Sequence, residues 1–248
     1  MLSTSLKQVG EVYSTPPTWI PKVVYWKNYI EIWQQYPIGR YISNSFFIAV
    51  TCTILNGLLA VPAAYAVSRL RFAGRKMFMY MFLVVQMFSP VIIIMPLFKL
   101  MAVWGLLDTY QSLIITNTVF TLSFSIWMLS SYFNNVPVDI EQAALIDGCS
   151  RVQTITKILI PIAAPGIVTT AIYTFISVWN EFMFALTFIS RAEMRPLTVG
   201  LYNFIRLWTI NWHHLMTGAV IGIVPIVILF MIAERNLVKG LAAGAVKS

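Results

Sequence analysis

The sequence predicts an all-α integral membrane protein, a polytopic bundle of helices that cross a bilayer. Two observations carry this. Hydrophobic residues make up 58% of the 248 positions and charged residues only 10%, whereas a soluble domain is about 25% charged. So few charges cannot cover a soluble chain of this size, and the hydrophobicity excludes disorder. The apolar residues also gather into five long runs, each able to cross about 30 Å of hydrocarbon. The runs are continuous and lack the alternation of barrel strands, so they are helices. The 17 basic and 9 acidic residues give a net charge of +8. That charge is scattered between apolar runs instead of clustering in a polar domain, so lipid is the expected partner and nucleic acid is not. Cys52 and Cys149 make no disulfide framework.

The spans fall at residues 46–67, 77–98, 111–133, 166–190 and 213–233. The first three carry no charge, the fourth only Glu181, and the fifth only His213 and His214 at its start. Pro62, Pro90, Pro96 and Pro225 interrupt the helical ladder, which membrane helices tolerate when neighbours satisfy the freed carbonyls. Orientation follows from basic residues near the span ends. The link after the first span carries Arg69, Arg71, Arg75 and Lys76 and no acid, which places it in the cytoplasm. Alternation then puts residues 104–110 outside, 134–165 inside, 191–212 outside and the C-terminal tail inside. Residues 1–40 fall outside, yet they contain no export signal; they are polar and aromatic, with Trp19, Trp26 and Trp33. A further span preceding residue 1 is therefore expected.

The inner loop 134–165 is the most informative segment. Asp139-Ile140-Glu141-Gln142-Ala143-Ala144-Leu145-Ile146-Asp147-Gly148 reads as a short helix. Pro137 precedes it, acids occupy its positive end, and Gly148 supplies a left-handed stop. Ser150-Arg151-Val152-Gln153 matches a capping box that opens a second helix running to Pro161. Ala143 and Ala144 keep the first helix slim enough for another protein to approach its backbone. Glu141 and Asp147 offer acceptors to basic partners.

Residues 141–148, followed by Ile160-Pro161 and Pro165, resemble the EAA loop of binding-protein-dependent ABC importer permeases. Gln142 stands where the pattern has its first Ala, and Ile160 where it has Leu. Ala64-Tyr65-Ala66 with Arg69, Phe72-Ala73-Gly74-Arg75-Lys76, Trp179-Asn180-Glu181-Phe182, Pro196-Leu197-Thr198-Val199-Gly200-Leu201 and Gly240-Leu241-Ala242-Ala243-Gly244-Ala245-Val246-Lys247 are similar to the carbohydrate, maltose-type branch. Residues 1–7 resemble the stretch just after the family's first span. The resemblance implies a type I ABC importer permease fold with six spans, five of them here, in a single transmembrane domain over residues 1–248. It implies a bacterial or archaeal inner-membrane location and import of a carbohydrate. Its expected partners are a second related permease, two cytoplasmic ATP-binding subunits that hold ATP and Mg, and an external solute-binding protein. Glu141, Ala143, Ala144, Asp147 and Gly148 would then couple to the ATPase, whose closure rocks the bundle as a rigid body.

No Gly-x-x-x-x-Gly-Lys-Ser/Thr occurs, so this chain is expected to bind no ATP itself and to be no enzyme. No catalytic or metal-spaced constellation is found. Glu181 is the one acid inside a span and so a functional candidate, about 22 Å from the inner end at 1.5 Å per residue. With Trp179 and Asn180 it can accept sugar hydroxyls beside an aromatic face, or it can bridge two helices. A stand-alone secondary transporter coupling protons or ions at Glu181 is the alternative reading, though no inverted repeat supports it. Gly218-x-x-x-Gly222 reads as close helix packing, and the two histidines as interfacial anchors.

Overall fold

The computed structural model describes residues 1–16, 18–205 and 211–245. Pro17 of the aromatic segment, residues 206–210 of the link before the last span, and Val246 and Lys247 of the terminal motif lie outside the described residues. Among the described residues all the regular elements are helical. Two single turns, α1 (Leu2–Ser5) and α2 (Val9–Val12), and α3 (Lys27–Gln35) precede α4 (Ile38–Arg69), which starts after Pro37 and contains the first span. Next come α5 (Arg75–Met87), α6 (Pro90–Val103) and α7 (Tyr110–Asn134), then α8 (Val138–Ile146) and α9 (Arg151–Thr154). A π turn (Ile155–Leu159) leads into α10 (Ile160–Ile162), and α11 (Ala164–Trp179), α12 (Met183–Phe188), α13 (Leu197–Tyr202) and α14 (Trp212–Ala245) complete the order.

Three described helices are long and apolar enough to cross a membrane: α4, α7 and α14 over Trp212–Ile232. The number reaches five if two bent pairs each count as one span. Two of the expected spans are therefore not single helices. Residues 77–98 break between α5 and α6 with a 99° bend. Ser89 precedes Pro90, and a residue before proline is pushed out of the helical region. Residues 166–190 are helical only to Trp179; residues 180–182 interrupt before α12. At its other end α11 meets α9 and α10 at 80°.

The chain gathers into two compact units, each drawn from three stretches. The first comprises residues 1–48, 96–113 and 179–228. Its interior includes Ile32, Tyr41, Met101, Phe184, Phe188, Leu197 and Phe204. The Asn28 amide donates to the carbonyls of Ser5 and Lys7, both at 2.9 Å, which fixes the N-terminal turns to α3. Gly218 and Gly222 of α14 admit Leu201 and Leu197 of α13: a Cβ would lie 2.2 Å and 2.9 Å from their methyl carbons. The glycine pair is thus a packing seam within the chain. Trp19, Trp26 and Trp33 are exposed, as the aromatic reading expects. His213 and His214, read as interfacial anchors, are both buried within the chain. Their rings lie 4.1 Å apart, with His214 packed on Tyr36 and Phe204. Among the described residues no group of three metal-ligating side chains forms.

Asp108 ties the link between α6 and α7 to the segment after α12. Its backbone is left-handed, with φ +55°, a conformation short polar residues tolerate. Its N–H donates to the Phe188 carbonyl at 3.0 Å, and its Oδ1 accepts from Ser190 N at 2.6 Å and Arg191 N at 3.0 Å. Those N–H groups, Arg191 before Ser190, hold the carboxyl below the ordinary aspartate range. A depressed carboxyl contributes above its unfolded pKa and loses that contribution as pH falls through its folded value. Amide exchange at Ser190 and Arg191 should therefore stay slow at neutral and mildly acidic pH and quicken only below the ordinary aspartate range. Asp108→Asn should show the quickened exchange at every pH.

The second unit comprises residues 49–95, 114–178 and 229–248. Its core joins Ala60 and Ala64 of α4, Ile126, Leu129 and Phe133 of α7, and Val136, Leu159 and Ala163 of the loop. Small alanines on α4 let the larger α7 side chains approach closely. Gly166 of α11 sits against the Tyr132 ring, where a Cβ would come within 2.5 Å. In contrast, α5 buries no residue, and α6 buries only Met101, which belongs to the first unit.

Candidate coupling loop and transport-path residues

The helix expected from the loop sequence is present. Pro137 takes the N-cap position, and Asp139 and Glu141 lie in the first turn, where the helix dipole favours acids. At the other end Gly148 adopts φ +84°. Its N–H donates to the Leu145 carbonyl at 3.2 Å and Cys149 N–H to the Ala144 carbonyl at 3.0 Å. That pair of bonds is a Schellman stop, which depends on a residue able to turn left-handed. The next helix opens with the expected capping box: Gln153 N donates to Ser150 Oγ at 3.3 Å, and Ser150 N to Gln153 Oε1 at 2.8 Å. Two short helices are thus delimited by residues that act within their own turns.

The side chains of α8 divide by face. Glu141 and Ala144, three apart, point inward and are buried. Val138, Ile140, Leu145 and Ile146 are exposed, and so are Ala143 and Asp147. The expectation that Glu141 offers its carboxylate outward is not met. Its Oε2 lies 3.2 Å from Arg69 Nε, with both side chains 8% exposed. Arg69 Nη2 also donates to the Val136 carbonyl at 2.7 Å. Of the five coupling candidates, the loop presents Ala143, Asp147 and Gly148 outward and turns Glu141 and Ala144 toward its own unit. Arg69 was legible as one of four basic residues in a link and as part of a family-like motif; nothing in its neighbourhood signals a partner 67 residues away at Val136.

The three transport-path candidates are separated in role. Trp179 is buried, and its Nε1–H donates to the Gly222 carbonyl of α14 at 3.1 Å. Asn180 is exposed. Glu181, expected inside a continuous span, sits in the break before α12. Its Oε1 accepts from Phe184 N at 2.6 Å and its Oε2 from Ala185 N at 3.0 Å. Its carbonyl accepts from Thr198 Oγ1 at 2.6 Å. The carboxylate thus takes the N–H groups that open α12, so the helix can restart where the chain has left the ladder. The half-buried residue thus ties the start of α12 to Thr198 of α13.

Glu181→Gln tests that assignment. The amide offers one oxygen to two N–H donors, so one donor is left unpaired at a cost of about 1–3 kcal/mol. Thermal unfolding in detergent should show this loss, while ATP-driven uptake persists. Uptake abolished at unchanged stability would give Glu181 a role in the transport step itself.

Residues 56–243 match the family described as "Binding-protein-dependent transport system inner membrane component". The chain belongs to this family. It is 36% identical over 247 residues to the sulfoquinovosyl glycerol transport system permease protein of Agrobacterium fabrum, covering all of this chain and 87% of that one. It is 39% identical over 208 residues to the trehalose/maltose transport system permease protein of Thermococcus litoralis, covering 84% of this chain and 75% of that one. Its fold is that of a bacterial ABC transporter for alginate import, with TM-score 0.82 and 24% identity over 94% of this chain and 87% of that one. The chain is therefore an inner-membrane, multi-pass permease component of a binding-protein-dependent importer. A permease of this family is a transport subunit and not an enzyme; the ATPase is a separate subunit. No cofactor is indicated for the permease itself. A stand-alone secondary carrier energised at Glu181 is overturned by this membership.

Proposed function

We propose that this permease imports an oligosaccharide or glycoside and that α8 is the element through which ATP hydrolysis drives it. The outward surface of α8 carries the second part of this reading: an apolar patch of Val138, Ile140, Leu145 and Ile146 beside the slim Ala143. A short capped helix with that face outward suits a groove in a partner. The carbohydrate class rests on the relatives, whose names assign them sulfoquinovosyl glycerol, trehalose or maltose, and diacetylchitobiose. A second related permease completes the path, two ATP-binding subunits hold ATP and Mg, and an external solute-binding protein delivers the sugar. With the loop 134–165 cytoplasmic, alternation puts the C-terminus there too, and lipid surrounds the spans.

The test is uptake into right-side-out vesicles that hold the complete transporter, ATP inside and the binding protein outside. Labelled disaccharides, glycosides and amino acids are offered with an uncoupler present. The expected result is ATP-dependent accumulation of a saccharide or glycoside that the uncoupler does not change. Accumulation of an amino acid and of no sugar would overturn the substrate class.

A further inference from the structure

We propose that Arg69 is a positioning residue for coupling, a two-point clamp that makes α8 move as one body with the end of α4. The inference rests on the reading that α8 docks the ATPase. A docking helix transmits a displacement only if its joint to the membrane helices resists sliding and rotation. α8 meets its own unit through two buried side chains, Ala144 and Glu141. A methyl contact such as Ala144 has no direction and allows sliding. Glu141 supplies direction, because Arg69, the last residue of α4, answers it.

The guanidinium engages two places along the loop. Nη2 holds the carbonyl of Val136 at 2.7 Å, just before the Pro137 cap. Nε faces Glu141 Oε2 at 3.2 Å, one turn into the helix. The hydrogen bond to Val136 and the ion pair with Glu141, which lacks hydrogen-bond geometry, hold α8 at two points a turn apart, and an extended guanidinium spans them where an ammonium point charge does not. A buried ion pair is a poor device for stability alone, since a well-packed apolar pair of similar size often does as well or better. What it adds is a fixed geometry. Val136 also belongs to the apolar core shared by α4, α7 and the loop, so the clamp is rooted in the packed part of the unit.

The experiment uses the complete transporter with its binding protein, reconstituted in vesicles, and reads solute transported per ATP hydrolysed in complexes that have assembled by size-exclusion. Arg69→Met should lower this ratio on the order of tenfold, the size of a lost coupling between two sites. Arg69→Lys keeps the charge and is expected to fall between, since one ammonium cannot reach both acceptors in the same way. The decisive arm replaces Arg69 and Glu141 together by cysteines, in a chain whose Cys52 and Cys149 are serine. Bridging the pair with a short bifunctional thiosulfonate should restore the ratio, and reducing the bridge should remove it again. A merely structural pair would restore assembly without changing the ratio. An unchanged ratio in assembled Arg69→Met and Arg69→Lys complexes, or a bridged pair no better coupled than the reduced one, would overturn the proposal. If Gly148→Trp also leaves transport and ATPase association intact, the docking role of α8 fails as well; if Gly148→Trp uncouples while the Arg69 variants do not, only the clamp is wrong.

Discussion

A tryptophan at position 148 is expected to abolish transport while leaving the membrane helices folded. Gly148 has φ +84°, and a Cβ built there meets nothing within 4 Å. The chain itself therefore has room for a larger side chain, and the internal penalty is the left-handed backbone, about 1–2 kcal/mol for an ordinary residue. Asparagine tolerates that region, so Gly148→Asn should keep most of the activity. Gly148→Trp adds bulk beside the exposed face of α8, where only a partner could feel it. The expected pair of results is normal yield and helix content of the permease, with ATPase subunits lost on purification or hydrolysing ATP without transport. Normal transport and normal ATPase association in Gly148→Trp would remove α8 from the coupling path.

Gly200→Ala should cause the largest loss of stability from a single added methyl. The new Cβ would lie 2.2, 2.6 and 2.7 Å from Cδ2, Cε2 and Cγ of Tyr41. The ring is buried, so it cannot swing into open space, and either α13 or Tyr41 must move. Overpacking of this kind costs about 1–3 kcal/mol, occasionally more. In a chain of this length each kcal/mol lowers the Tm by roughly 2–4 °C, so Gly200→Ala should melt roughly 2–12 °C below the parent in detergent. Tyr41→Ala alone should also destabilise, by leaving a cavity. The double variant should be more stable than the sum of the two losses, because the methyl then occupies part of the vacated space. Strict additivity would show that α13 accommodates the methyl without meeting Tyr41.

The membrane class, three of the five expected spans as single helices and the two helices of the loop 134–165 were legible because each rests on local signals. Uncharged runs lie within α4, α7 and α14, and Pro137, Gly148 and the Ser150–Gln153 box delimit the loop helices within a few residues of themselves. The other two spans were read as continuous because apolar composition does not distinguish a helix from two helix pieces. Pro90 marked one break without giving its 99° bend. The break after Trp179 has no glycine or proline to announce it; there the Glu181 carboxylate takes the place of helical acceptors. Which way Glu141 faces was hidden for another reason. A helix of nine residues with apolar side chains around much of its girth has no clear inner stripe, and its ionic partner lies on a different helix.

The bareness of α5 bears on how the cell makes this protein. A helix that buries no residue fully, and meets the rest of its chain through little more than Phe82 and a bond from Gln86 to the Phe120 carbonyl, gains little stability from that chain. Met77, Tyr80, Met81 and Met87 stay uncovered, so a newly inserted copy without its companions displays an oily flank of the kind that recruits membrane proteases. Synthesis of this chain in excess of its companions should yield short-lived protein, and its abundance in the cell should follow whichever companion is scarcest.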